Sequence, residues 1–436
     1  MLNSEQLLHY IWRNKLYNTE SLITKEGMDV EVIDPGIQNV NAGPDFFNSK
    51  IKFEDKVWAG NVEIHNASSD WVRHGHHKDK SYNTVILHIA EVIDMEIVNE
   101  KGQIVPQCQI EVSNKLKGSA EYLVNSKCNL PCKNFLTTIP SVKINAWLTN
   151  LALERLERKS EDINRHLERF NNSWDEVFYV TLSRNFGFGI NSDEFERLAL
   201  SLPFKYILKH SDSLFQVEAL MFGQAGLLEK PAEDVLDKRN DGIDEYYVRL
   251  QNEYKFLKSK YKLKNFDGYL LKKMRIRPSS FPELRIAQLA ALLQKSGRLF
   301  STILGLNDYK EYIAYFQTST SDYWESHHSF CKISVKNKKV LGAASLDVIV
   351  INTIVPVLFA YGKYIGNEEY CLKAIAILEN IRPERNSIVR EFVSAGINVN
   401  NAVDSQALIQ LRREYCEKRK CLYCRVGYSI LSSDKH

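Results

Sequence analysis

Asp45 closes a Gly43-Pro44-Asp45-Phe46 turn, and eighteen residues later come Val62-Glu63-Ile64-His65. Short β-rich runs surround both, so a hairpin between them would bring the two carboxylates within reach of one hard cation. Mg²⁺ and Mn²⁺ take oxygen ligands and are commonly held by one or two carboxylates together with water and substrate phosphate. An ion bound this way activates water and stabilises the charge that develops on a phosphodiester. His65 stands beside it, placed to orient or deprotonate that water.

Downstream lies Ser69-Asp70-Trp71-Val72-Arg73-His74-Gly75-His76-His77-Lys78-Asp79. Four of the eleven histidines fall between His65 and His77. If the segment folds back over the hairpin, His74, His76, His77 and Asp79 line the same pocket, as ligands of a borderline metal or as contacts to substrate phosphate. The alternative is a polar loop whose histidines are solvated. A third chemistry sits at the far end, Cys416-x4-Cys421-x2-Cys424 among Lys418, Arg419, Lys420 and Arg425. Neighbouring cations favour thiolates, and thiolates bind Zn²⁺ or an iron–sulfur cluster, with Cys132 of Cys128-x3-Cys132 available as a fourth ligand. Reduced thiols on a basic tail are the competing expectation. The basic run from Lys272 to Pro278, with Arg277 in it and Arg285 soon after, offers nonspecific phosphate contacts or a solvated helical face.

These groups need elements to hold them. From Ser4 to Leu16, Leu7, Leu8, Ile11 and Trp12 recur at helical spacing behind a capping serine. Strands are expected at Val30–Ile33, Ile51–Phe53, Val57–Trp58, Asn61–Ile64, Val85–Ile89 and Met95–Val98, most of them bounded by turn residues. Beyond Ser141 the period is helical: Ile144 to Phe170, Leu214 to Leu228, Tyr246 to Tyr261, Leu284 to Gln294, Leu346 to Tyr361, Glu368 to Ile381 and Val403 to Tyr415, with Asn191 and Glu194 as a capping pair. The fold class expected is an α+β or α/β sheet domain over residues 1–135, a larger all-α domain over 136–415, and a cysteine-containing basic tail over 416–436.

Pro44-Asp45, a spacer and Glu63-Ile64-His65, set in a helix, three-strand, helix, strand order, resemble the signature of the PD-(D/E)XK nucleases. That resemblance covers the N-terminal region alone and implies a restriction-endonuclease-like fold for it. It also implies Asp45 and Glu63 as Mg²⁺ or Mn²⁺ ligands, the Ile64 carbonyl as a third, and His65 where that family has a water-assisting lysine. The activity implied is cleavage of nucleic acid by a nuclease or phosphodiesterase. With lysine replaced, a non-catalytic nucleic-acid or protein-binding scaffold on the same fold is the alternative, and a transition-metal hydrolase built on the histidines is a third reading. Through Asn61–His65, Ser69-Asp70-Trp71 and the segment from Phe215 to Leu228, the whole chain also resembles a full-length bacterial family of unassigned function. That second resemblance implies only that the sheet and the helices belong together.

Composition narrows the classes. A chain of 436 residues, 44% hydrophobic and 25% charged, is long enough for more than one core and is not disordered in character. A formal charge of +3 announces no nucleic-acid partner by itself. Eight cysteines are too sparse for a disulfide scaffold. Met1 to Lys15 lacks the pattern of a secretory signal, so a cytoplasmic location is expected. Leu346 to Tyr361, broken by Asp347, Asn352 and Pro356, is expected as a buried helix and not a membrane span.

Overall fold

In the first helix, α1 (Ser4–Arg13), burial of Leu7, Leu8, Ile11 and Trp12 follows the apolar stripe, and the Trp12 indole donates to the Pro35 carbonyl at 3.0 Å. The computed structural model to which it belongs describes residues 4–18, 22–230, 236–237, 242–264, 270–274, 276–295 and 297–433. Strands β1 (Val30–Asp34), β2 (Ile37–Gln38), β3 (Phe46–Phe53), β4 (Lys56–Ala67), β5 (Val85–Val92) and β6 (Gln107–Gln109) form one mixed sheet in the order β1-β3-β4-β5-β6, with β2 also on β3. Pairing is antiparallel from β1 to β4 and parallel from β4 through β6. The parallel step needs a crossover, which is supplied by the short helix α2 (Asp70–Arg73) and two 3-10 turns, His76–Lys78 and Lys80–Thr84.

Two of the expected strands, Val57–Trp58 and Asn61–Ile64, are halves of the continuous β4. The expected strand at Met95–Val98 is replaced by an isolated bridge, Val98 to Ile104, and the last strand is β6. Ile97 is buried against Trp71 and Tyr82 in a small cluster, so its apolar character serves packing of the crossover and not pairing in the sheet.

The chain forms two compact units. One comprises residues 1–148, 386–398 and 408–436, and the other residues 149–385 and 399–407. The first contains the sheet, helix α3 (Asn114–Asn125) and the C-terminal cysteines. The second is helical, and its core runs through α5 (Trp174–Phe186), α6 (Ser192–Ser201), α7 (Phe204–Leu208), α8 (Leu214–Gln224), α9 (Glu245–Tyr261) and α10 (Pro282–Gln294). Helix α4 is continuous from Ser141 to Arg169, one helix as the 3.6-residue period allows. Asn191 precedes α6 but makes no side-chain cap; its amide instead bonds both backbone groups of Lys272. The apolar run is helical over Ala343–Ile365, with a π segment at Val350–Ile354. Among the described residues it is long and apolar enough to cross a membrane, yet 67% of its apolar 18-residue window is buried, as in a core helix.

Candidate metal centre

The geometry of the centre begins at the turn before β3. Gly43 has φ +104, which favours glycine, and the Asn39 amide donates to the carbonyls of Ala42 and Pro44. Asp45 leaves that turn, and a bulge follows at once: Asn48 has φ 55 and the β3–β4 register shifts between Phe46 and Ser49. Bulges re-aim side chains at sheet edges and beside sites. Here the turn and bulge set the Asp45 N–H 3.0 Å from Glu63 Oε2, while Asp45 Oδ2 accepts the Ile64 N–H at 2.9 Å. Each of the two carboxylates thus bonds a backbone N–H of the other's strand region. Ile64, expected to lend its carbonyl, meets Asp45 through its N–H.

Alternation along β4 sends Glu63 and His65 to one face, and the parallel register sets Glu63 beside His88 of β5. Gly75, at φ 82, turns the chain between His74 and His76 so that both imidazoles come back over that face. His76 Nε2 lies 3.1 Å and His65 Nε2 3.5 Å from Glu63 Oε1. His74 Nδ1 lies 3.1 Å from His65 Nε2. The donor atoms of His65, His74 and His76 all fall within 4.8 Å of one another. A tetrahedral ion with metal–nitrogen bonds near 2.05 Å separates its ligand atoms by about 3.3 Å. The three edges measured here bracket that length, so the residues present fit a divalent cation.

Their protonation suits the same occupant. Burial pushes His65 down to about 2 and His88 down to about 3, each helped by neighbouring histidines, and burial lowers His76 as well. Neutral imidazole is the form that binds metal. Glu63 is pushed up to about 9, first by burial and then by the charge of Asp45. A cation is the partner that would restore its carboxylate. His76 Nε2 is buried and, despite its 3.1 Å approach to Glu63, lacks the alignment of a hydrogen bond. Its ring stacks on Tyr82 with centroids 3.8 Å apart, and Trp71 meets it edge-on.

Two members of the cluster were not among the expected site residues. His9 reaches from α1 to place Nε2 3.2 Å from Asp45 Oδ2. Burial opposes its charge, but the nearby Asp45 carboxylate raises its pKa overall. The signal was a polar residue between Leu8 and Ile11 on the buried side of an amphipathic helix. His88 places Nε2 2.9 Å from His65 Nδ1. The Gln107 amide nitrogen donates to the Met95 carbonyl, while its oxygen and His88 Nδ1 are both buried without a hydrogen-bond partner. With His65 Nδ1 donating to His88 Nε2, the His65 Nε2 lone pair is kept for the site.

Other expected residues lie elsewhere. Asp79 is exposed and its carboxylate accepts the Ser81 N–H, capping a 3-10 turn. His77 is half-buried, and among the described residues the donor atoms that come together are those of His65, His74 and His76. Arg277 and Arg285 belong to the helical unit, where they border a cavity of about 240 Å³; Arg277 is exposed, and Arg275 lies outside the described residues. Arg285 is buried, stacked 4.2 Å from the Phe188 ring centroid and bonded to Gln288, Ser280 and Ser345. Cys132, Cys416, Cys421 and Cys424 line one small cavity in the sheet-containing unit.

A family model described as "Protein of unknown function (DUF2851)" matches residues 5–387. No curated protein and no solved structure matches the chain.

Proposed function

The chain belongs to the DUF2851 family, and for this member we propose a divalent-metal-dependent phosphodiesterase of nuclease type. The observation that carries it is the closure of Glu63, His65, His74 and His76 at ligand-to-ligand distances of 3.1 to 3.5 Å, with Asp45 one hydrogen bond away. Histidines beside carboxylates favour Mn²⁺ or Zn²⁺ over Mg²⁺, whose preference is for oxygen. Such an ion would polarise a phosphoryl oxygen and lower the pKa of a bound water. Asp45 and His9, each with about a fifth of its side chain exposed, and the exposed His74 form the open rim where substrate would enter. His9, held protonatable by Asp45, is placed to supply the positive charge that lysine supplies in PD-(D/E)XK nucleases. A helix, a set of antiparallel strands, a crossover and a parallel strand follow one another here, an arrangement broadly like the order that resemblance implies, with two further strands, β1 and β2, before β3.

Chelator-stripped protein should regain cleavage of labelled single- or double-stranded DNA or RNA with Mn²⁺ or Zn²⁺, and Glu63→Gln and His76→Ala should abolish it. A second reading rests on the burial of Glu63 and His65, 4% and 1% exposed: a structural ion that locks the crossover onto β4 without catalysis. Stoichiometric metal with no turnover of any of these substrates would replace the first reading by the second.

A further inference from the structure

Cys132 meets three cysteines from the far end of the chain. Cys132, Cys416, Cys421 and Cys424 surround one small apolar cavity, with Tyr415 and Val426 completing much of its wall. Both sides of the meeting are pinned. Arg412 donates to the Asn129 carbonyl at 2.8 Å, Arg419 to the Cys128 carbonyl at 2.9 Å, and Cys421 Sγ lies 3.2 Å from the Leu123 carbonyl. Arg419 takes φ 53, and a Cβ on Gly427 would sit 2.1 Å from the Cys421 carbonyl oxygen, so the loop is shaped for close approach. Burial raises the Cys424 thiol, while the neighbouring N–H groups of Gly427 and Val426 act in the opposite direction and favour negative sulfur.

Four sulfurs from two distant stretches of chain around one cavity are the donor set of a thiophilic cation, which takes them as thiolates while their protons leave to solvent. We propose that Cys132, Cys416, Cys421 and Cys424 hold a metal centre of four thiolates that fastens the C-terminal segment to the sheet-containing unit.

The centre also reaches the first site. Arg13 at the end of α1 donates to the Leu422 carbonyl at 3.2 Å and lies over the Tyr423 ring, and the same helix carries His9. Full-length protein purified without air should contain sulfur-bound metal, with a sulfur shell around it in X-ray absorption, and acid-labile sulfide would assign a cluster. Alanine at Cys132, Cys416, Cys421 or Cys424 should remove that metal, while Cys128→Ala and Glu63→Gln should keep it, which separates this centre from the histidine site. Zinc with a sulfur-only shell would keep the four-thiolate site and assign it to a single ion. Wild-type protein without sulfur-bound metal would overturn the proposal, as would retention of metal in all four variants. The absorption measurement decides even where a cysteine variant fails to fold.

Discussion

At the scale of single residues, the histidine site depends on which ring nitrogen of His65 is free. His88, 2.9 Å from His65 Nδ1, sets that choice, so His88→Phe should leave the fold intact and weaken metal binding by about 10- to 100-fold. Competition against a fluorescent chelator reads this directly, and unchanged affinity would show that His65 is oriented by other means. The spacing of Asp45, Glu63 and His65 was legible because all three lie on one hairpin, where separation along the chain and in space run together. His88 and His9 were not legible as partners. The first arrives through parallel pairing across a crossover, the second from a helix that covers the face, and neither relation leaves a local pattern in the chain. The four cysteines are an intermediate case, since residue type alone suggested a meeting that spacing between Cys132 and Cys416 could not.

Elements with a strong period were the most readable: α4, α8, α9 and α10 fall where their apolar spacing predicts. The π segments at Val350–Ile354 and Leu411–Cys416 were not, because one inserted residue shifts the stripe without breaking it. Within α8, Glu218 is fully buried, its carboxyl bonded to the hydroxyls of Tyr246 and Ser321. Burial pushes it up to about 7, against 4.5 for an exposed carboxyl. A raised carboxyl stabilises the fold fully below the unfolded value, and that contribution is lost as pH rises through 7. The whole effect is on the order of 3 kcal/mol. Hydrogen exchange in α8 should therefore report a less stable helical unit at pH 8 than at pH 5, and Glu218→Gln should flatten that difference. An identical pH slope in the variant would assign the titration to other groups. In the sheet-containing unit, Trp71→Ala removes a fully buried indole from beneath the crossover and should cost about 3 to 5 kcal/mol. Chemical denaturation followed by fluorescence checks it, and a loss below 1 kcal/mol would mean that the crossover repacks.

For the molecule as a whole, the unit that holds both candidate centres is discontinuous: the chain leaves it after Leu148 and returns at Asn386 and again at Leu408. The last segment is not an appendage, because Leu408, Leu411, Leu422, Val426, Ile430 and Leu431 are all buried. At roughly 1.5 to 3 kcal/mol for each such side chain, their burial contributes about 9 to 18 kcal/mol, as much as the entire net stability of a typical domain. Composition alone hid this, since the basic residues between Cys416 and Arg425 give the segment the look of a tail while its apolar residues sit at helical spacing between them. Truncation after Ala407 should therefore unfold the sheet-containing unit. Hydrogen exchange should show β3, β4 and β5 unprotected, while α5 through α8, whose core lies in the other unit, stay protected. Retained protection in β4 would mean that α1 and the crossover hold the sheet without the C-terminal segment, and the cysteine centre would then stabilise that segment alone.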